Sequence, residues 1–179
     1  MSDVKLLESR EIYRGKIVDL SVDRVQLPNG NICELEMICH PGAAAVVPVD
    51  AERNVLLVRQ YRYAASGWLY EVPAGKLDEG EDPAVCAARE IEEEVGVRPG
   101  RLTPMGWIWT TPGFSDERIW LYLATELVES KQSLQPDEVL SVERLPFDET
   151  VELARRGEIR DAKSVCALLR AAHILDDPA

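Results

Sequence analysis

The stretch GKLDEGEDPAVCAAREIEEEVGV, residues 75–97, carries the clearest structural signals in this chain. Asp82 stands at a favoured N-cap position, Pro83 at the first helical position, and Gly96 directly after the last apolar residue. These signals predict a helix from about Pro83 to Val95. The apolar positions of that helix form one stripe that we expect to face the core: Ala84, Ala88, Ile91 and Val95.

Four carboxylates crowd the end of this helix, at Glu90, Glu92, Glu93 and Glu94. Glu90 and Glu94 are neighbours beside the apolar stripe, and their repulsion would cost about 0.2–0.5 kcal/mol on an exposed helix. A divalent cation such as Mg²⁺ or Mn²⁺ would reverse this cost, because it prefers carboxylate oxygens. The alternative is a solvated acidic surface helix. On either interpretation Glu92 points away into solvent, and Arg89 can reach Glu93 one turn later.

Composition restricts the class of protein. The chain has 179 residues, 46% of them hydrophobic, and a formal net charge of −12, which predicts one compact domain with room for an extension. No apolar run is long enough to span a membrane and the N-terminus lacks an apolar signal core, so we expect a cytoplasmic protein without a membrane partner. The negative charge also argues against a nucleic-acid partner. The four scattered cysteines favour reduced thiols over a metal or disulfide framework.

The remaining elements follow from periodicity and turn signals. Strands are predicted where apolar residues alternate or form short buried runs: 32–40, 43–49, 54–61, 102–110 and 117–127. The Asn-Gly pair in LPNG, residues 27–30, predicts a hairpin. A second helix is expected at 147–156, ending at Gly157, and a third after a capping Asp161, with a core stripe at Val165, Leu168, Leu169 and Ala172. The sum is a mixed sheet with flanking helices in an α+β or α/β sandwich.

Residues 75–97 resemble the signature of the Nudix hydrolases at every defined position. The flanking segments VRQYRYAASGWLYEVPAGKLDEGE (58–81) and TTPGFSDE (110–117) are similar to the ADP-ribose pyrophosphatase branch of that family. The resemblance implies an α/β/α sandwich with a mixed sheet, a Nudix domain over 41–179 and an N-terminal β-hairpin region over 1–40. It also implies a homodimer formed through the N-terminal region.

The same resemblance implies an activity. Members of this family hydrolyse a nucleoside diphosphate linked to another group and use Mg²⁺ or Mn²⁺. Pro112, sixteen positions after Gly96, and the residues that follow it match the pattern of the ADP-ribose group. The first expectation is therefore hydrolysis of ADP-ribose to AMP and ribose 5-phosphate. The alternatives are another nucleoside-diphosphate sugar such as GDP-mannose, or a nonhydrolytic domain that senses nucleotides; the latter usually lacks box glutamates, and none is missing here.

Metal-site residues are carried over position by position. Glu90 and Glu94 would be metal ligands, Glu93 a further ligand or support, and the backbone carbonyl of Ala74 another ligand. Arg89 would orient the glutamates through a salt bridge.

Other residues of the box have supporting roles by the same resemblance. Glu81 would either join the metal site or anchor the loop. Gly75 and Gly96 would serve backbone geometry, consistent with the access of glycine to positive φ.

The water-activating base is expected on the segment SLQPDEVLSVERL, after the strands that follow the box. Glu138 is the first choice and Asp137 its rival. Both could instead be turn residues that follow Pro136.

Substrate contacts rest on separate residues. Arg62 would bind a phosphate of the substrate, since its rigid fork suits phosphate oxygens, whereas Arg59 is expected to be an exposed, solubilising residue. Glu117, in the same segment as Gly113, would bind a ribose hydroxyl. Glu71 would assist the metal or loop, or only support the structure.

The remaining candidates have no assigned chemistry. Trp107 and Trp109 share a strand face and could stack on a purine, but core packing is favoured. We expect neither His40 nor His173 to be catalytic.

Overall fold

The structure is a computed structural model that describes residues 3–136 and 138–176. The chain divides into two compact units. The first contains Met1–Gly42 and Trp109–Arg118, and the second contains Ala43–Ile108 and Ile119–Ala179. Among the described residues no helix has both the length and the apolar character needed to cross a membrane.

The first unit contains a three-stranded antiparallel sheet in the order β1 (Lys5–Arg14), β2 (Asp19–Gln26) and β3 (Ile32–Cys39). The predicted hairpin joins β2 to β3, where Gly30 has a φ of 86° and donates its N–H to the Leu27 carbonyl. Strand β1 was not predicted. All ten of its residues are exposed, so its sequence carries no burial pattern that would reveal a strand.

The described residues of the second unit form seven strands and three helices, and β8 and β9 each have one residue that is assigned to the first unit. The strands are β4 (Ala43–Pro48), β5 (Asn54–Arg62), β6 (Gly67–Glu71), β7 (Ala74–Lys76), β8 (Val97–Trp109), β9 (Arg118–Glu129) and β10 (Leu140–Pro146). The helices are α1 (Pro83–Val95), α2 (Phe147–Arg155) and α3 (Ala162–Asp176), and Tyr63–Ala65 forms a 3₁₀ turn.

Two sheets build this unit, one in the order β7-β4-β9-β8 and the other in the order β10-β5-β6. Strand β4 runs parallel to β9 and antiparallel to β7, so the four-stranded sheet is mixed, as predicted. The sequence did not predict β6, β7 or β10. Strand β7 reads Ala-Gly-Lys, which has little intrinsic strand preference, and it is a strand only because it pairs with β4.

The core lies on both faces of β4, whose six residues are all buried. Because side chains alternate along a strand, Ala44 and Val46 pack in the cluster that contains Ile91 of α1. Ala45 and Val47 pack on the opposite side, in the cluster that contains residues of α2 and α3. Helices therefore cover both faces of the mixed sheet, which confirms the predicted sandwich.

The predicted bounds of α1 are confirmed, but its buried face is not the predicted stripe. The buried residues are Cys86, Ala87, Glu90, Ile91 and Glu94, while Ala84, Ala88 and Val95 are only partly buried. In α3 the buried residues are Ser164, Ala167, Leu168, Ala171 and Ala172, and Leu169 is exposed. In both helices the buried face combines small residues and one large apolar residue, Ile91 or Leu168, with polar side chains.

Candidate active site

Helix α1 and strand β7 bring the predicted metal-binding residues together. Asp82 caps the helix by accepting a hydrogen bond from the Ala84 N–H at 2.8 Å, and Gly96 ends it with a φ of 78°. Glu90 and Glu94 lie one turn apart on the face that packs against β7. Glu94 accepts a hydrogen bond from the Ala74 N–H at 3.1 Å.

The lack of a side chain at Gly75 leaves room for the Glu90 carboxylate in its present position, and the backbone angle of Gly75 does not itself demand glycine. A Cβ atom at this position would overlap the Glu90 carboxylate, whereas Gly75 is absent from the described residues with positive φ. The expectation of a positive φ is therefore wrong for Gly75 and confirmed for Gly96. The backbone of β7 lies directly against the Glu90 side chain.

Arg89 connects the box loop to the glutamates of the helix. Its guanidinium donates two hydrogen bonds of 2.9 Å to Glu81 and one of 2.5 Å to Glu90, and it contacts Glu93 only at 3.4 Å. Glu81 also accepts the Asp78 N–H at 3.0 Å. Glu81 thus lies where it can anchor the loop, which is one of the two roles the sequence left open.

The carboxylates of this region fall into two electrostatic classes. Burial raises the pKa of Glu90, and it raises the pKa of Glu94 to about 8, with the charges of Glu90 and Glu138 adding to the effect. The hydrogen bonds from Arg89 instead lower the pKa of Glu81 to about 2. Glu90 and Glu94 are only 4% and 3% exposed, so their charged forms are costly without a nearby positive charge.

Glu138 lies in the same cleft as Glu90 and Glu93. A cleft of about 440 Å³ is lined by Ala74, Gly75, Lys76, Asp78, Arg89, Glu90, Glu93, Gln135 and Glu138. The Glu138 carboxylate accepts the Gln135 N–H at 2.7 Å. The rival candidate, Asp137, lies outside the described residues.

The segment that carries Glu138 is tied to the end of α1. The Ser130 hydroxyl donates to Glu92 at 2.7 Å, and the Gln132 side chain donates to the Glu94 carbonyl at 2.6 Å. Glu92 also pairs with Arg98 at 2.6 Å. The expectation that Glu92 is only solvated is wrong, because it holds the loop that follows β9.

The donor chemistry of this cleft suits a divalent cation, although the side chains do not yet surround one point. Within 3–136 and 138–176, no three acidic, histidine or cysteine side chains converge closely enough to enclose a metal ion. Glu90 faces Arg89, and Glu94 faces the Ala74 N–H. Carboxylate and carbonyl oxygens are the ligands that hard cations prefer, so cation binding requires Glu90 and Glu94 to turn away from these partners.

Arg62, the predicted phosphate ligand, is paired with Glu71 through two hydrogen bonds of 2.8 Å. Glu71 is 2% exposed and also contacts the ammonium group of Lys163 at 2.5 Å. Arg59 is exposed, as expected, and its guanidinium lies 5.6 Å from the ring centroid of Trp68. The substrate role of Arg62 stays a prediction.

Glu117 and Gly113 belong to the first unit. Glu117 accepts a hydrogen bond from the Thr110 hydroxyl at 2.7 Å, and it lies 3.6 Å from Nδ1 of His40. That nitrogen accepts the Gly42 N–H at 3.0 Å, so it cannot also donate to Glu117, and we do not count this contact as an ion pair. The roles of Glu117 and Gly113 in binding substrate stay predictions.

The two tryptophans are not core residues. Trp107 and Trp109 are 43% and 40% exposed, so the favoured interpretation of core packing is wrong. The guanidinium of Arg118 lies 4.6 Å from the ring centroid of Trp109. Strand β8 therefore presents these aromatic faces at the surface, where polar tips and rings remain accessible.

Sequence reasoning missed Lys163, Ser130 and Gln132 as neighbours of the site. Lys163 is 92 residues from Glu71 in the chain, and Gln132 is 38 residues from Glu94. No local pattern marks such contacts, because lysine, serine and glutamine are ordinary surface residues. Only the packing of α3 and of the segment after β9 brings them to these carboxylates.

Comparison with known proteins identifies similar chains and folds. Residues 40–168 match the family model described as the NUDIX domain, and residues 4–34 match the nucleoside diphosphate sugar hydrolase N-terminal domain. An ADP-ribose pyrophosphatase from Bacillus subtilis strain 168 is 39% identical over 166 residues, covering 92% of this chain and 90% of the relative. A GDP-mannose pyrophosphatase from Salmonella paratyphi B is 35% identical over 146 residues, covering 75% of this chain and 76% of the relative.

A solved structure of an ADP compounds hydrolase has a similar fold. It superposes with a TM-score of 0.85 and covers 98% of this chain and 96% of its own chain. The two sequences are 21% identical, so this similarity supports the fold.

The Glu81–Arg89 pair makes stability depend on pH. Replacing Glu81 by Gln should lower the free energy of unfolding at neutral pH by about 1.5–3 kcal/mol, the usual range for a hydrogen bond to a charged group. Because the folded pKa of Glu81 is depressed to about 2, its contribution is present above the unfolded value of about 4.3 and is lost as pH falls towards 2. Urea unfolding at neutral pH and at about pH 3 measures this difference.

The matched control is Glu79→Gln, at an exposed position of the same loop. It should leave the free energy of unfolding unchanged at both pH values. The assignment is wrong if Glu81→Gln is as stable as this control at neutral pH, or if the gap from wild type does not narrow on acidification.

Proposed function

We propose that this chain, which belongs to the NUDIX domain family, hydrolyses the pyrophosphate bond of ADP-ribose to AMP and ribose 5-phosphate. The observation that carries this proposal is the cleft in which Glu90, Glu93 and Glu138 meet the backbone of β7. The similarity to an ADP-ribose pyrophosphatase along 92% of the chain supports the choice of substrate.

GDP-mannose, or another nucleoside-diphosphate sugar, is the second candidate substrate. The similarity to a GDP-mannose pyrophosphatase and the match of residues 4–34 to an N-terminal domain of nucleoside diphosphate sugar hydrolases favour it. Both candidates contain the same P–O–P link, so the residues around that link would act alike. They differ in the base, in the sugar and in the sugar carbon that is attached to the pyrophosphate.

The reaction requires positive charge near the phosphates, because their oxygens repel an incoming nucleophile. Divalent cations, Mg²⁺ or Mn²⁺ in this proposal, supply charge that offsets the negative charge of the pyrophosphate oxygens. Glu90, Glu94 and the Ala74 carbonyl would hold the cation, with Glu93 as a further ligand. Glu94 fits this role because its burial already makes its uncompensated charge costly.

Glu138 would act as the general base. Its carboxylate borders the cleft beside Glu90 and Glu93, where a water molecule could approach the phosphorus of the substrate. As the water oxygen bonds to phosphorus and the bridging P–O bond breaks, Glu138 accepts the water proton on a carboxylate oxygen. The bridging oxygen leaves with the other phosphate.

Substrate orientation would come from three predicted residues. Arg62 would bind a phosphate through its guanidinium fork, and Glu117 would accept a hydrogen bond from a ribose hydroxyl. Gly113, where an added Cβ would meet no atom within 4 Å, leaves open space beside the backbone of the segment that carries Glu117. Arg89 would hold Glu81 and Glu90 in place.

A homodimer and a cytoplasmic location stay predictions. The first unit exposes several large apolar side chains, which favours a second copy as partner. They include Val4, Leu6, Leu7, Ile12, Tyr13 and Ile17, each at least 45% exposed.

The substrate assignment is tested with a panel of nucleotides. Purified protein is incubated with Mg²⁺ or Mn²⁺ and with ADP-ribose, GDP-mannose, NADH or diadenosine polyphosphates, and the products are separated by chromatography. We expect preferential conversion of ADP-ribose to AMP and ribose 5-phosphate. Preferential cleavage of GDP-mannose would replace the first substrate with the second, and no turnover with either cation would refute hydrolysis.

Glu94 and Glu92 form a matched pair for the metal site, two residues apart on one helix. Glu94→Gln should lower turnover by more than about 100-fold, because even the outer contacts of metal ligands matter by about 10- to 100-fold. It should keep the fold, since a neutral amide avoids a buried charge. Glu92→Gln should lower turnover by less than about tenfold. Steady-state kinetics and urea unfolding measure both effects, and equal activity in the two variants contradicts the assignment.

Glu138→Gln tests the general base. Hydrolysis should slow by about 100- to 10,000-fold, the range for proton transfer by a positioned side chain, while Mn²⁺ binding measured by calorimetry should persist. Glu149→Gln, at an exposed position of α2, serves as the control and should retain wild-type rates. Wild-type rates in Glu138→Gln would move the role to Asp137 or to another residue.

A further inference from the structure

A buried ion network lies beside the proposed site, at the end of β6. Glu71 is 2% exposed and accepts hydrogen bonds from two cations, Arg62 and Lys163. Lys163 also pairs with Asp161 at 2.9 Å. The four side chains carry two negative and two positive charges, so the network as a whole is neutral.

The two cations that contact Glu71 differ in their freedom to move. The side chain of Lys163 is 13% exposed, whereas that of Arg62 is 43% exposed. Lys163 is held between Glu71 and Asp161 at the beginning of α3. Only Arg62 therefore has a side chain with room to leave Glu71.

The lysine side of the network is fixed by further hydrogen bonds. Asp161 accepts the Ser164 N–H at 3.0 Å and the Ser164 hydroxyl at 2.5 Å. The same hydroxyl oxygen accepts the Val72 N–H at 2.8 Å. Helix α3 is thereby bonded to the backbone that leads from Glu71 into β7.

Arg62 is linked to one carboxylate of the proposed metal site through the chain, since its partner Glu71 is three residues before Ala74, whose N–H donates to Glu94 at 3.1 Å. The charge of Glu94 contributes to raising the pKa of Arg62, after the larger effect of its hydrogen bonds to Glu71. A phosphate group brought to Glu90 and Glu94 by a cation would thus come near the Arg62 guanidinium. To bind it, Arg62 must exchange the Glu71 carboxylate for phosphate oxygens.

That exchange depends on what remains beside Glu71. A buried carboxylate that loses its only cation is strongly destabilised, so Arg62 would stay locked in place if it were the sole partner. Lys163 contacts Glu71 at 2.5 Å beside Arg62, so it would still compensate the Glu71 charge after Arg62 leaves. We propose that Lys163 is a positioning residue that neutralises Glu71, so that Arg62 can transfer its guanidinium to a phosphate of the substrate.

This inference rests on the proposed function, because Arg62 must bind a substrate phosphate. It goes further by giving Lys163 a role in substrate affinity without any contact to the substrate. In this arrangement, Glu71 is the partner of Arg62 until the substrate binds. A purely structural role for Lys163 would instead affect only the stability of the fold.

The first test is Lys163→Met, which keeps an unbranched side chain one heavy atom shorter and removes its charge. We expect the KM for ADP-ribose to rise by about tenfold or more with kcat changed by less than about threefold, the pattern for lost substrate binding. Lys163→Arg retains the charge and should recover most of the affinity. Arg155→Met removes an exposed cation of α2 and should match wild type.

A second mutation distinguishes this role from a structural one. In Lys163→Met the further change Glu71→Gln should restore the affinity, because a neutral amide no longer holds Arg62. Arg62→Met should weaken binding in the wild type but add little to Lys163→Met, since the two changes remove the same interaction. Urea unfolding of each variant checks that the fold is retained. If Lys163→Met does not fold, the variant that combines Lys163→Met with Glu71→Gln takes its place in the comparison.

Equilibrium binding of inorganic pyrophosphate, measured by calorimetry with excess Mg²⁺, gives a readout that needs no turnover. Across the variants, we expect the affinities for pyrophosphate to follow the same order as the affinities for ADP-ribose. If wild type binds pyrophosphate but does not hydrolyse ADP-ribose, the proposed function fails while the inference is still decided by binding. Three results would each overturn the role proposed for Lys163. They are unchanged affinity in Lys163→Met, no restoration of affinity by Glu71→Gln in a folded protein, and no binding of pyrophosphate by wild type.

Discussion

Two carboxylates, Glu90 and Glu94, are buried where α1 packs against β7, and the surrounding structure is arranged around them. Burying a carboxylate costs free energy unless a cation or hydrogen bonds compensate. Gly75 leaves room for the Glu90 carboxylate, and Ala74 donates its N–H to Glu94. The period of α1 places the two side chains one turn apart, and the glycine of β7 leaves room for one of them.

The acidic residues differ in how far neighbouring cations compensate their negative charge. This difference separates carboxylates that support the structure from candidate metal-binding carboxylates. Glu81 and Glu71 are paired with arginine, which lowers the pKa of each. Glu90 and Glu94 are incompletely compensated, and burial raises the pKa of each. Perturbed carboxylates of the second kind, in a cleft, are typical of functional sites. A chain with a formal net charge of −12 can in this way still present a local attraction for a cation and its anionic ligand.

Local signals were sufficient for the elements whose ends depend on neighbouring residues. Asp82, Pro83 and Gly96 predicted both ends of α1, and Asn29 and Gly30 predicted the hairpin between β2 and β3. Caps and tight turns involve residues within about four positions of each other, so sequence is informative about them. Strands β1 and β7 have no such local signals, because β1 is wholly exposed and β7 exists only through its pairing with β4.

Residues close together in the chain specify helix α1, the four-residue spacing of Glu90 and Glu94, and the family resemblance carried by residues 75–97. Packing of distant segments buries these carboxylates, places Gly75 where a Cβ would meet the Glu90 carboxylate, and brings Glu92 and Lys163 to partners far along the chain. The two kinds of feature differ in the range of the interactions that create them. Helix periodicity and capping are set by residues within a few positions, whereas burial, desolvation and ion pairing depend on which distant segments the packed sheets and helices bring to the same place.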